Sequence, residues 1–500
     1  MPIRVICSFL LHGYWARLLY YFLLQPEFNM VSQNIRHEVR LLSRNYWFIS
    51  LSLVLVLLCL YAGYNGLRHF ERRQADQQQA IAAQQEKEDL IQEVALTLSK
   101  GEEHPSAFRL SPMNVAIYTG QLATMPATEM SKLAIGQSDL YSHQIKISSS
   151  EDLATLSFNE LNNPVQLLFG NFDLAFVLTY LVPLVIIAFT YNLRTQELES
   201  GRLRLLASNP INTNLWLLQR FIIRYCSLAL ILTFILTLTA VIVGMAFSLS
   251  LITFFLLTYA YLAFWFAVSY LVNIYGYSSA KNAVSLLSLW ILLVLILPTV
   301  INQAANTVYP MPSRVTLLNE IRQTKKELSQ EQDKVLDEYL RNHPELIRNE
   351  GQNAYGYWQG YFASQELMEE QLSPVIDRFD EQLTKQQKWV DSWGLLSPAV
   401  LFQDGATELA GTSSKNYNEF KANVRSFSLD WRAHFMPFVF DNSMLEHSDL
   451  EALPKFEYRS FLGTSGVLVN ISVLLILSVL MAMRGLALEG KQELLSFSRS

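Results

Sequence analysis

The residues with the most chemistry to offer lie in the stretch Asp173–Pro210, DLAFVLTYLVPLVIIAFTYNLRTQELESGRLRLLASNP. Arg194, Glu197, Glu199, Arg202 and Arg204 crowd around Gly201, directly after an uncharged apolar run from Leu174 to Tyr191. Interleaved acids and bases of this kind make no nucleophile–base pair and no metal set. They suit charge-paired docking. Read as one helix, Gln196–Ala207 places Glu197, Gly201 and Arg204 roughly on one face. Leu198, Leu203, Leu205 and Leu206 then hold it against the membrane or a partner groove. The plain alternative is an ordinary juxtamembrane loop.

The other constellations offer less. Gly485-Leu-Ala-Leu-Glu-Gly490-Lys491 has the spacing of a phosphate-binding loop, but Gln492 stands where Ser or Thr holds magnesium, and an apolar run instead of a strand precedes it. No nucleotide site is expected in this chain. His434, Asp441, His447, Asp449 and Glu451 are close in sequence but match no metal-ligand spacing, so no metal is expected. There is no GxSxG and no HExxH, and an enzyme has little support. The centres of the apolar runs contain no ionisable residue, which argues against a proton pump or ion channel. Thr253, Thr258, Tyr259, Tyr261, Ser269 and Tyr270 either line a cavity or, the preferred reading, pack helix against helix.

The elements that position the charged turn follow from composition. Of 500 residues, 51% are hydrophobic and only 16% charged, against about a quarter charged in soluble proteins. The apolar excess falls in blocks, the pattern of a mostly α, polytopic membrane protein. A net charge of −6 gives no reason to expect nucleic acid. Cys7, Cys59 and Cys226 lie outside the large polar segments, so no disulfide framework supports those.

Residues 1–29 form an extension, either an interfacial amphipathic helix or the product of a start upstream of Met30. Residues 30–45 carry Arg36, Arg40 and Arg44 at steps of four, opposite Ile35, Val39, Leu41 and Leu42; this predicts a helix lying along the membrane surface. Span 1 is 46–64. Residues 65–172 are hydrophilic, beginning with a helix that continues out of the membrane and holding short alternating pieces such as His143–Ser148. Span 2 is 173–191, kinked at Pro183, and 192–214 is the charged turn. Spans 3 to 5 occupy 215–301, with span 3 reaching Phe247 and Arg220 and Arg224 at the interface. Residues 302–463 form a second hydrophilic insertion of amphipathic helices, in which Pro398 and Gly411 serve as punctuation. Span 6 is 464–483 and 484–500 a polar tail. With six spans, Arg36, Arg40 and Arg44, Arg194, Arg202 and Arg204, Lys281, and Arg484 and Lys491 all fall on one side. The positive-inside rule makes that side the cytoplasm, with both termini there and both insertions outside.

The string ELESGRLRLLASNP resembles the cytoplasmic coupling element of bacterial ABC type-2 permeases, a Glu-x-Glu-x-Gly-Thr-Leu pattern. Glu197, Glu199, Gly201 and Leu203 match, and Arg202 replaces the usual Thr. Ile135-Gly136-Gln137-Ser138-Asp139-Leu140, Asn163-Pro164 with Phe169-Gly170, and Ser397-Pro398 followed by Ala410-Gly411-Thr412 look like signatures of one subfamily. Its members place large extracytoplasmic insertions after span 1 and before span 6, in part a domain of unknown function. The resemblance implies a dimerising permease of the inner membrane, paired with an identical or homologous second permease. A separate cytoplasmic ATPase subunit would bind ATP and Mg and dock at Glu197, Glu199, Gly201, Arg202, Leu203 and Arg204. Residues 31–45, with Arg36, Arg40 and Arg44, would be the entry helix lying in the lipid headgroups. An amphiphilic substrate would leave through an outer vestibule or pass to a periplasmic protein. The rival expectation is a mechanotransmitter that works on a periplasmic partner and translocates nothing.

Overall fold

The computed structural model describes residues 26–149, 171–203, 213–276, 278–311, 313–330, 332–347, 355–441, 443–459 and 463–497. It is almost wholly helical, and six helices are long and apolar enough to cross a membrane. The chain is a mostly α, multi-pass membrane protein.

Helix α1 (Pro26–Arg44) ends at Asn45, whose side chain caps the next helix by accepting from the Trp47 amide at 3.0 Å. Tyr46 and Trp47 stand exposed at that joint, at the start of the first apolar run. Helix α2 (Tyr46–Ser99) is continuous for 54 residues. Its first third is apolar and spans; the remainder is Gln-, Glu- and Arg-rich and projects from the membrane, as its composition predicts.

Span 2 and the start of the charged turn form one element, α3 (Leu174–Glu199). The Pro183 kink is absorbed by a wide turn over Val177–Leu181, which frees the ring from a clash with the preceding carbonyls. Span 3 is α4 (Thr213–Ile242) and stops short of Phe247, because Gly244 at φ +66° turns the chain back toward span 4. Span 4, α5 (Leu249–Tyr275), is capped by Ser248 and is the most enclosed, 72% buried over its apolar window. Span 5, α6 (Ser279–Val308), is the least enclosed at 17%. Thr253, Thr258, Tyr261, Ser269 and Tyr270 are all buried between helices, and Tyr261 donates to the Thr179 carbonyl at 2.7 Å. The packing role holds for them.

The two hydrophilic insertions are not two domains. Helices α7 (Arg314–Gln330), α8 (Gln332–Asn342), α9 (Tyr357–Gly394), α10 (Pro398–Ala410), α11 (Ser414–Asp441) and α12 (His447–Glu451) follow span 5. The first insertion contributes the outer end of α2 and a hairpin, β1 (Gln121–Thr124) against β2 (Gln144–Ile147), antiparallel with Gln121 opposite Ile147. Ile91, Val94, Val115 and Ile145 share one core with Ile321, Phe362, Phe420, Trp431 and Phe435. The buried Trp431 indole donates to the Ala116 carbonyl at 3.2 Å, across 315 residues of chain. A single lobe results.

Helix α10 belongs elsewhere. Its Ala399, Leu401, Phe402, Ala406 and Leu409 sit in the core of the spans, not of the lobe. Ser397 caps its start and donates to the Leu293 carbonyl of span 5 at 2.8 Å. Span 6 is the start of α13 (Thr464–Phe497), whose helical backbone runs through Gly485, Gly490 and Lys491. A helix cannot wrap a phosphate, and Gly485 instead lets span 6 close on Tyr270, 2.6 Å from where a Cβ would stand.

Candidate functional site

On the surface opposite the lobe, the charged turn is knotted to four other elements. Helix α3 is irregular over Tyr191–Arg194, becomes helical at Thr195–Glu199, and stops at Ser200–Gly201. Gly201 has φ +73°, a conformation glycine enters freely, so the single helix expected over Gln196–Ala207 is broken at its middle. Arg204 lies outside the described residues.

Glu197 points inward. Its carboxylate accepts from Arg220 of span 3 at 3.3 Å and pairs with Arg202 at 3.0 Å. Arg220 in turn pairs with Glu38 of α1, lies 4.8 Å over the Trp216 ring, and donates to the Leu193 carbonyl at 3.2 Å. Arg224, one turn further along span 3, also binds Glu38, at 3.3 Å, and donates to the Phe189 carbonyl. Glu38 is only 2% exposed, so one buried carboxylate is shared by two guanidiniums. Charges placed this deep persist only when paired and hydrogen-bonded, and here both conditions hold.

Glu199 ties the turn to span 5. It accepts from the Ser279 amide at 2.7 Å and the Ser279 hydroxyl at 2.9 Å, at the first turn of α6. Arg194 donates to the carbonyls of Ile274 and Asn273 at the end of span 4, and Asn282 reaches the Tyr191 carbonyl at 3.0 Å. Leu198, Gly201 and Arg202 remain exposed, and Leu203 is half-buried. Arg36, Arg40 and Arg44 are exposed on the face of α1 away from Glu38. The basic stripe and the charged turn are thus connected through Glu38, a residue that sequence reasoning passed over. The signal available was an acid set between Arg36 and Arg40 of the basic stripe, with two arginines four apart at the start of span 3.

At the lobe end, stretches far apart in sequence converge. Asp173 caps span 2, accepting from the Phe176 amide at 2.7 Å, and also takes the Ile135 amide at 2.8 Å and the Gly136 amide at 3.2 Å. Thr412 donates to the Ala134 carbonyl at 3.0 Å, and Thr128 to the Ala410 carbonyl at 2.5 Å. Gly136 is at φ +57° and packs within 2.6 Å of Thr407, measured to where a Cβ would stand. The two motifs around Gly136 and Gly411 therefore meet as a clasp between lobe and spans. Asn163-Pro164 and Phe169-Gly170 lie outside the described residues.

Residues 314–459 match a family model described as a domain of unknown function (DUF3526). The match covers most of the lobe's second half together with α10, and none of the spans. No curated protein matches the chain. Of the residues close in sequence but without metal-ligand spacing, His447 pairs with Glu451 at 3.6 Å, one helical turn away, and His434 packs on Phe435 and Phe438.

Proposed function

We propose that this chain is the permease subunit of an ABC exporter in a bacterial inner membrane, with both termini cytoplasmic and the lobe periplasmic. Separate ATPase subunits bind ATP and Mg and dock on the turn at Leu198–Arg202. A second permease, identical or homologous, completes the membrane unit, with lipid around it. The observation that carries this reading is the linkage of Glu197 to Arg220 and through Arg220 to Glu38. A push on the exposed side of the turn is delivered at once to span 3, to α1 and, through Glu199 and Ser279, to span 5. Glu197 and Glu199 are transmitters in this scheme, and Leu198 and Arg202 form the docking face.

The test is co-purification of the ATPase with variants of each kind. Leu198→Asp combined with Arg202→Glu is expected to lower recovery of the ATPase at least tenfold. Glu199→Gln is expected to keep the association and to weaken stimulation of ATP hydrolysis. Undiminished association of the double variant overturns the docking face.

A second reading, force transmission to a periplasmic partner without cargo, is favoured by one observation. Helix α2 runs unbroken from the spans into the lobe. Stimulation of ATP hydrolysis only by a soluble periplasmic protein supports transmission; stimulation by an amphiphile in reconstituted vesicles supports export.

A further inference from the structure

A cavity of about 990 Å³ opens where spans 2 and 5, helix α10 and the lobe helices α9 and α11 meet. That volume suits a small-molecule site, for which roughly 300–1,000 Å³ is usual. The lining changes character with depth. Span 5 presents Val294, Pro298, Asn302 and Asn306 at steps of four, one stripe that passes from apolar to carboxamide as it leaves the membrane. Span 2 adds Phe176 and Tyr180, their rings 4.8 Å apart. Among the described residues, Asn302 and Asn306 have no hydrogen-bond partner, and their amides are open to a guest.

The charge is lopsided. Among the described lining residues, Asp173 and Asp404 stand against a single cation, Lys421. Asp173 is 2% exposed; three backbone amides hold it, and among the described residues no Arg, Lys or His is within pairing distance. Asp404 has Lys415 at 3.9 Å, but that ammonium sits nearer Asp391, at 3.1 Å. The three backbone amides hold the Asp173 carboxylate but carry no net charge to cancel its own. A second anion is repelled here, and a neutral apolar guest leaves Asp173 with its amides alone and Asp404 with Asn470 at 3.5 Å and a lysine it shares with Asp391. An ammonium supplies the missing charge-assisted hydrogen bonds.

We propose that this cavity binds a small amphiphile bearing one ammonium group. Its head lies against Asp173 and Asp404, and its apolar part lies along Phe176, Tyr180, Val294 and Pro298. As the substrate class it rests on the export reading, since spans 2 and 5 are among the spans the charged turn joins at their other ends; as a binding site it does not need an ATPase.

The experiment uses the full chain in lipid nanodiscs, with empty nanodiscs to subtract partitioning. Radiolabelled octylammonium, octanol and octanoate are titrated in parallel. Octylammonium is expected to bind saturably and at least tenfold more tightly than octanol, with no saturable binding of octanoate. Asp404→Asn is expected to weaken it about tenfold, and Asn306→Trp, which fills the cavity, to abolish it. Asp173 is avoided because it caps span 2. Equal binding of the three probes overturns the proposal, as does unchanged octylammonium binding in the two variants once their thermal midpoints match the parent. Adding the partner ATPase separates the two readings. Selective binding without stimulation sinks export and leaves the site; stimulation by octylammonium that survives Asn306→Trp sinks the site and leaves export.

Discussion

Arg220 of span 3 and Glu38 of helix α1 form a buried ion pair across 182 residues, with side chains 7% and 3% exposed. Arg224 shares the same carboxylate. The geometry makes Glu38 the keystone of the surface opposite the lobe. Removing one partner of a buried pair leaves an uncompensated charge, a loss of about 3–5 kcal/mol. Glu38→Gln leaves Arg224 without its carboxylate and Arg220 with Glu197 alone, and is expected to lower the thermal midpoint of the purified chain strongly. Glu38→Leu combined with Arg220→Met and Arg224→Met is expected to recover much of that loss. A combined variant as unstable as the sum of its parts would refute the pairing.

Glycines along α2 and beyond give a graded test of packing. A Cβ at Gly66 would stand 1.9 Å from the Lys132 carbonyl oxygen, which is backbone and cannot swing aside. A Cβ at Gly101 meets nothing within 4 Å, although its φ of +80° strains any other residue. Gly101→Ala should therefore cost about 1 kcal/mol from backbone strain alone. Gly66→Ala should prevent recovery of folded protein. Size-exclusion profiles and thermal midpoints of the two variants decide it, and equal behaviour would contradict the close crossing.

The lobe should lose stability in acid, in part through His143. Burial and the nearby Arg73 push this imidazole down to about 3; His69 acts in the same direction and Asp139 opposes it. The folded lobe therefore holds His143 neutral, whereas the unfolded chain takes up a proton below its ordinary value near 6.5. Stability is complete above about 6.5 and falls as pH drops toward 3, by at most about 1.4 kcal/mol per pH unit for one proton. His143→Gln should flatten that slope between pH 6.5 and 4.5, read as thermal midpoint against pH. An unchanged slope would assign the acid sensitivity to other groups.

Orientation is open to thiol labelling. With Cys7, Cys59 and Cys226 replaced by Ala, a maleimide that does not cross the inner membrane should label Asp377→Cys in intact cells whose outer membrane admits it. It should reach Ser200→Cys only after lysis. Both positions are exposed, so access and not burial is what differs. The reverse pattern would invert the proposed topology.

Much of the fold was legible because a bilayer imposes a coarse rule: about 20 apolar residues span, and cationic flanks choose a side. That rule found all six apolar spans, and the four-residue spacing of Arg36, Arg40 and Arg44 found the helix that holds them. It failed for α10, whose 13 residues include Asp404 and Glu408 and are too short and too polar to register as a span. It gave no hint that the two insertions share a core, because that depends on contacts such as Trp431 to Ala116, which no local period encodes. At the charged turn, residue types do not say which way each side chain faces. Glu197 sits between acids and bases in sequence, and only the approach of Arg220 decides that it faces inward.

Helix α2 also has a mechanical consequence. Fifty-four residues at 1.5 Å each make a rod of about 80 Å. Gly63 and Gly66 let it touch Thr239 and Lys132 almost without a gap, which provides a fulcrum roughly a third of the way along. The longer arm, about 50 Å by the same rise, lies in the lobe, so a tilt of about 5° at the fulcrum sweeps the far tip through roughly 4 Å. A motion of about 2 Å near Trp47 would thus arrive roughly doubled where the far end of α2 packs against Ala107–Leu110 and His447–Glu451.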